Sequence, residues 1–241
     1  MQRLQQGASF LKIKLPYAPA KLRAFADKLI AKNKMPDSLL RLSLSRGMGT
    51  LGYSPKNANQ PTLVMSLRPA VKINSKAPLR WNLVTSSFHL PTNEPLARFK
   101  TANKLSQVLA RAEADTVGAN EALLLNTNGF VVEGTSSNLF WIKRGTIYTP
   151  SLAAGILPGV TRSVVLEIAA KLKIPIREKN IRLKELYQAE GIFLSLSSLG
   201  IVEAKSLDKK ELKKSPLTAH IASSYTDILE DSCACNLESE T

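Results

Sequence analysis

The sequence predicts an α+β protein in two parts, and three observations lead there. Helical periodicity and strand alternation stand side by side in the first third, a longer series of strand signals begins near residue 76, and amphipathic helices interrupt and close that series. Within 18–32, Leu22, Phe25, Ala26, Leu29 and Ile30 recur at spacings of three and four, one apolar helical face, with Lys21, Arg23, Asp27 and Lys28 on the other side. The stretch 40–45 (LRLSLS) alternates with the period of a half-buried strand, and 63–67 is an apolar run of strand length. Strands follow at 81–88 and at 122–125, the second joined by a turn at 126–129 to 130–132 as a hairpin. Helices are expected at 101–114, at 159–173 with Val165, Ile168, Ala169 and Leu172 on the buried face, and at 216–229. No internal repeat or low-complexity tract is found.

Composition narrows the class of protein. Of 241 residues 44% are apolar and 22% charged, which excludes disorder as the main character, and no 18-residue apolar run is present to span a bilayer. The start, MQRLQQGASFLKIKLPY, has neither the apolar core nor the cleavage site of a secretory signal, so a cytosolic protein is expected. The net charge of +14 raises nucleic acid as a partner. Its distribution argues against one. The last 27 residues hold five acids and no Lys or Arg, and the basic residues before them are scattered without interleaved aromatics. A solvated basic surface is expected, with neither nucleic acid nor membrane as partner. Cys233 and Cys235 stand in SCACN without further ligands to complete a metal set, so no metal is expected.

Hydrolytic machinery is poorly represented, with only His89 and His220 and no G-x-S-x-G context. Gly47, Gly49 and Gly52 match a bare G-x-G-x-x-G spacing, but no helix pattern follows, and a loop is the better reading. Small polar residues gather where strands end and a helix begins. Pro158-Gly159-Val160-Thr161-Arg162 opens a helix whose free N–H groups, Thr161 hydroxyl and dipole suit a phosphate. Glu133-Gly134-Thr135-Ser136-Ser137-Asn138 puts an acid and four hydrogen-bonding residues between two apolar strands, and Ser195-Leu196-Ser197-Ser198 adds hydroxyls at the end of another.

Taken in chain order with Phe99-Lys100-Thr101-Ala102-Asn103, these segments resemble the class IV aminotransferases, pyridoxal phosphate enzymes of fold type IV that include branched-chain and D-amino-acid aminotransferases and 4-amino-4-deoxychorismate lyase. The resemblance runs from about Arg3 through Asp208. It implies a smaller α/β domain over 1–75, a larger β-rich, barrel-like domain with flanking helices over 76–241, and a homodimer acting on a small amino substrate. It further implies that Lys100 is the Schiff-base lysine and proton shuttle, and that Glu133 pairs with the pyridine nitrogen. Thr135, Ser136 and Ser137 would line the cofactor site. Val160, Thr161, Ser197 and Ser198 would hold the phosphate, together with Arg3, which matches the arginine of an H-x-x-R-L segment.

Elementary chemistry agrees with those roles. A lysine forms an imine only when neutral, which a desolvating wall or a neighbouring cation favours. A carboxylate keeps a pyridine nitrogen protonated and the ring a stronger electron sink. Within the family, residues 45–54 (SRGMGTLGYS) look like the S-R-G-x-G-x-R-G-Y-S segment of aminodeoxychorismate lyases, as does Asn138-Leu139-Phe140-Trp141. The expected reaction is therefore release of pyruvate to leave 4-aminobenzoate. Leu51 stands where that segment carries its second arginine, so Arg46 is the cation assigned to the substrate. A branched-chain or D-amino-acid aminotransferase and a catalytically silent binding module are the alternatives. Met1 already lies inside what resembles the family's first helix, so a misassigned start or a shortened homologue is expected.

Overall fold

The computed structural model describes residues 1–71 and 78–238, with side chains described through 231. It comprises two units, Met1–Lys72 with Phe99–Thr101, and Ile73–Arg98 with Ala102–Thr241. The expected boundary at 75/76 falls outside the described residues.

In the first unit the chain starts as α1 (Gln2–Phe10), which buries Ala8 and stops where Lys12 takes a φ of 53°. The periodic stretch becomes α2 (Pro19–Asn33), with proline at the first helical position, where its missing N–H leaves no bond unmade. Leu22 and Ala26 are its buried residues, and Lys34 in the left-handed region ends it. The alternating segment is β1 (Ser38–Ser45), paired antiparallel along its length with β2 (Thr62–Pro69), Ser38 opposite Pro69 and Ser45 opposite Thr62. Residues 46–61 between them form neither helix nor strand, so the glycine spacing there lies in a loop. Phe99 belongs to this unit, and its ring stacks on Phe10, centroids 4.4 Å apart.

The second unit contains β3 (Leu79–Leu90), α3 (Leu105–Thr116), β4 (Glu121–Asn126), β5 (Val131–Gly134), β6 (Asn138–Lys143), β7 (Thr146–Thr149), α4 (Val160–Lys171), β8 (Ile176–Glu178), α5 (Leu183–Leu186), β9 (Gly191–Leu196), β10 (Gly200–Leu207), β11 (Lys210–Glu211) and α6 (Pro216–Glu238). Pairing runs β10–β3–β4–β5–β6–β9 and returns from β9 to β10, a closed ring of six strands, with β7 and β8 extending from β6 and β11 from β10. Closure is the expected barrel, and it leaves the ring without a bare edge. All six strands contribute to one apolar cluster that fills it, among them Leu83, Leu123, Val131, Leu139, Leu194 and Val202. The opposite face of β6 and β9, with Phe140 stacked on Phe193 at 4.8 Å, packs beneath Val165 and Ile168 of α4 and Ile221 and Tyr225 of α6.

Two helix boundaries differ from expectation. The helix expected over 101–114 begins at Leu105; Thr101 and Lys104 instead donate their N–H groups two residues back, to Phe99 and Ala102. Thr101 and Asn103 are short polar residues that compete with helical pairing. The last helix runs to Glu238, beyond 229, into residues that carry no apolar periodicity by which the sequence would mark them.

A polar tie joins β3 to the turn after β10. Tyr187 donates its hydroxyl to Asp208 Oδ2 at 2.6 Å, and Thr85 donates its N–H and hydroxyl to the same carboxylate at 2.6 and 2.7 Å. Burial first, and then the Asp208 carboxylate, push the Tyr187 phenol from its ordinary value of about 10 up to about 12. The folded state thus holds this proton more tightly than the unfolded chain. The tie's contribution is fully present below pH 10 and is lost as pH rises toward 12. Urea unfolding at pH 9 and pH 12 should show this loss in the native chain, and Tyr187→Phe should reduce it.

Candidate active site

Glu133 is the centre of the polar cluster in the barrel unit, and a β-bulge determines where it points. Leu124 pairs with Glu133 while Leu125 pairs with Val131, leaving Val132 as the extra residue on β5. Leu124 lies in the cluster beneath α3 and Val131 in the barrel interior, so the slip turns Glu133 to the outer face, where its next pairing partner is Asn138 of β6. Glu133 is buried at 7% exposure. Its Oε2 accepts the Leu157 N–H at 2.9 Å and the Asn138 side-chain amide at 3.3 Å, and the same amide donates to the Leu157 carbonyl at 2.8 Å.

The N-terminus of α4 adjoins this pair. Gly159 is its N-cap, and the first intrahelical bond there runs from the Ser163 N–H to the Gly159 carbonyl, so the amides of Val160, Thr161 and Arg162 precede the helical ladder. A Cβ on Gly159 would collide with Asn138 Oδ1, so only glycine lets α4 start this close to β6. Thr161 is buried and Val160 exposed. Arg162 is also buried and spans to β7 and β8, donating to Thr149 Oγ1 of β7 at 3.4 Å, to the Pro150 carbonyl just after it at 3.3 Å and to Glu178 Oε1 of β8 at 2.7 Å. It therefore fixes the helix start over the sheet. Gly159→Ala should push Asn138 off Glu133 and cost about 1–3 kcal/mol, the usual range for overpacking, measured by urea denaturation.

Ser195 of β9 sits directly opposite Asn138 and shares its face of the sheet. Its hydroxyl is buried and makes no hydrogen bond, an orphaned polar group at the rim of the cluster. Ser197 and Ser198 lie in the turn between β9 and β10, Ser197 exposed and Ser198 half-buried. Donors at a helix start, a buried hydroxyl without a partner and a buried carboxylate form a set that fits a group bearing both a phosphate and a basic nitrogen.

The loop between β5 and β6 is organised from behind by Glu121, a residue that the sequence reading did not single out. Glu121 is fully buried at the start of β4. Its Oε1 accepts N–H bonds from Ala122 at 3.0 Å and Thr135 at 3.1 Å, together with the Thr135 hydroxyl, while Oε2 accepts from the Ser136 N–H at 3.3 Å and from the Ser136 and Ser137 hydroxyls at 3.0 and 3.2 Å. A charged residue next to the apolar run 122–125 is the one signal that marked it.

In the first unit, Lys100 lies in an exposed position between Phe99, stacked on Phe10, and Thr101, whose N–H bonds the Phe99 carbonyl at 2.9 Å. Arg3 stands in the first turn of α1, half-buried. Arg46 donates through Nη1 to the Lys12 carbonyl at 3.1 Å and through Nη2 to the Leu11 carbonyl, gripping the end of α1.

A closed six-stranded barrel with a buried carboxylate beside a helix N-terminus defines the class of protein at hand. Residues 1–207 match the Amino-transferase class IV family, and the chain belongs to it, a family of pyridoxal phosphate-dependent enzymes. The chain is 30% identical over 231 residues to a Methanocaldococcus jannaschii protein named "Putative branched-chain-amino-acid aminotransferase", covering 95% of this chain and 80% of the relative. A Legionella pneumophila structure named "Putative 4-amino-4-deoxychorismate lyase" superposes with a TM-score of 0.83 at 28% identity, over 91% of this chain and 81% of that one. A branched-chain aminotransferase from Thermoproteus uzoniensis, solved with norvaline, gives a TM-score of 0.87 at 28% identity, over 94% of this chain and 76% of that one. Among the described residues no helix is long and apolar enough to cross a membrane.

Proposed function

We propose that this chain is a pyridoxal phosphate-dependent lyase that converts 4-amino-4-deoxychorismate to 4-aminobenzoate and pyruvate. The observation that carries the cofactor assignment is the buried Glu133 carboxylate, tied to Leu157 and Asn138 next to the start of α4. Bound pyridoxal phosphate supplies an electron sink for the pair left when a C–H bond next to the substrate nitrogen breaks. Lys100 would hold the cofactor until the substrate amine displaces it, and its freed Nζ would then take that proton; the ring C–O bond to the enolpyruvyl group breaks, the released enol takes up a proton as pyruvate, and the ring becomes aromatic. Glu133 keeps a proton on the pyridine nitrogen. The amides of Val160 and Thr161, the Thr161 hydroxyl, Ser197 and Ser198 bind the phosphate, with Arg3 adding a positive charge. Thr135, Ser136 and Ser137 form the loop that backs Glu133, and Arg46 is assigned to a substrate carboxylate. The protein works as a homodimer.

The choice of lyase rests on the 45–54 segment and is supported by the Legionella neighbour. A branched-chain aminotransferase, in which Lys100 returns the proton to the cofactor carbon, is the second reading, and the Methanocaldococcus jannaschii relative favours it. The deciding experiment supplies 4-amino-4-deoxychorismate and measures 4-aminobenzoate, alongside amino-group exchange with branched-chain 2-oxo acids. Production of 4-aminobenzoate is the expected result; exchange without it establishes the second reading. Failure of the purified chain to take up pyridoxal phosphate at all removes both.

A further inference from the structure

We propose that Glu121 is a positioning residue for the cofactor site, acting through the β5–β6 loop on Glu133; the proposal rests on the pyridoxal phosphate reading above. The carboxylate is fully buried, and it is an expensive group to bury unless its lone pairs are satisfied. Here they are oversubscribed, with three donors to each oxygen. Five of the six come from the three consecutive residues Thr135, Ser136 and Ser137. All three loop hydroxyls spend their protons on Glu121, so they have none left to donate to a phosphate, and the loop's role is to hold its two ends. Those ends are the site: Glu133 and Gly134 enter the loop, and Asn138, which donates to Glu133, leaves it. The packing at the entry is equally close, since a Cβ on Gly134 would collide with Ser137 Oγ and stand 3.1 Å from Glu121 Cγ and Cδ.

The test is a double-mutant cycle read as the pyridoxal phosphate dissociation constant of the apoprotein, followed by absorbance. Glu121→Gln puts an amide N–H₂ where an oxygen now accepts donors. It should weaken binding by about tenfold, the scale on which partners of site ligands act. If Glu121 works through Glu133, the same change in a Glu133→Gln background should cost less than about twofold further, because residues acting on one contact are not additive. An analogue with carbon in place of the pyridine nitrogen should bind native and Glu121→Gln protein alike. Unchanged affinity in Glu121→Gln, losses that multiply in the double variant, or an equal loss with the analogue would each overturn the proposal. Thr135→Val, which removes a single hydroxyl donor, carries the same cycle if Glu121→Gln does not fold, with a smaller loss of the same sign. No binding by the native chain would instead sink the pyridoxal phosphate reading itself.

Discussion

Lys100→Ala should lower turnover by about 10⁴-fold or more, the upper range for a group that moves the substrate's proton. The same change should abolish the visible absorbance of lysine-bound pyridoxal phosphate. Stability should barely move. Lys100 is exposed on a segment anchored by the Phe99–Phe10 stack, and surface changes of this kind fall within about 0.5 kcal/mol. Lys100→Arg keeps the positive charge but cannot supply a neutral amine, so it should be as inactive as the alanine variant. Measuring kcat, the absorbance spectrum and urea unfolding on both variants separates a chemical role from a structural one. Turnover by either variant within tenfold of the native chain would remove Lys100 from the mechanism.

The second large effect is at Glu133, where two substitutions should diverge. Glu133→Gln keeps an oxygen to accept the Leu157 N–H but removes the charge facing the cofactor. A hydrogen bond to a charged group is worth about 1.5–3 kcal/mol, so kcat should fall by about ten- to a hundredfold with the fold intact. Glu133→Ala removes the acceptor as well, leaving the Leu157 N–H and one Asn138 amide hydrogen buried without it. That variant should lose about 1–3 kcal/mol of stability besides its activity. Equal activity in Glu133→Gln and the native chain would show that the carboxylate charge is not used.

Much of the architecture was legible because the relevant signals are local. Leu22 and Ala26 mark the buried face of α2 through their helical spacing, and the alternation of 40–45 marks β1. The ordered motifs around Lys100, Glu133, Gly159 and Ser197 identified the family. Other features left no periodic trace. The two-residue β11 and three-residue β8 are too short to carry a pattern, and the start of α3 depends on turns at Thr101 and Lys104 that take the place of helical pairing. Arg162 stands in the same PGVTR motif as Thr161 and both are buried, yet Arg162 reaches across to Thr149 of β7 and Glu178 of β8; that reach depends on where the sheet lies, not on the motif.

By itself, then, the sequence determined the α+β class, the family and the residue types able to serve pyridoxal phosphate, because helical and strand periods and short ordered motifs are properties of neighbouring residues. Only the tertiary structure decided which way those residues face. The β4–β5 bulge turns Glu133 outward to Asn138, and strand pairing sets the orphaned Ser195 hydroxyl opposite that asparagine. Glu121, twelve residues upstream of Glu133, gathers the loop hydroxyls onto a buried charge. The physical reason is common to all three. A buried polar group must find its partners across strands that are distant in the chain, and one residue of register decides whether it does.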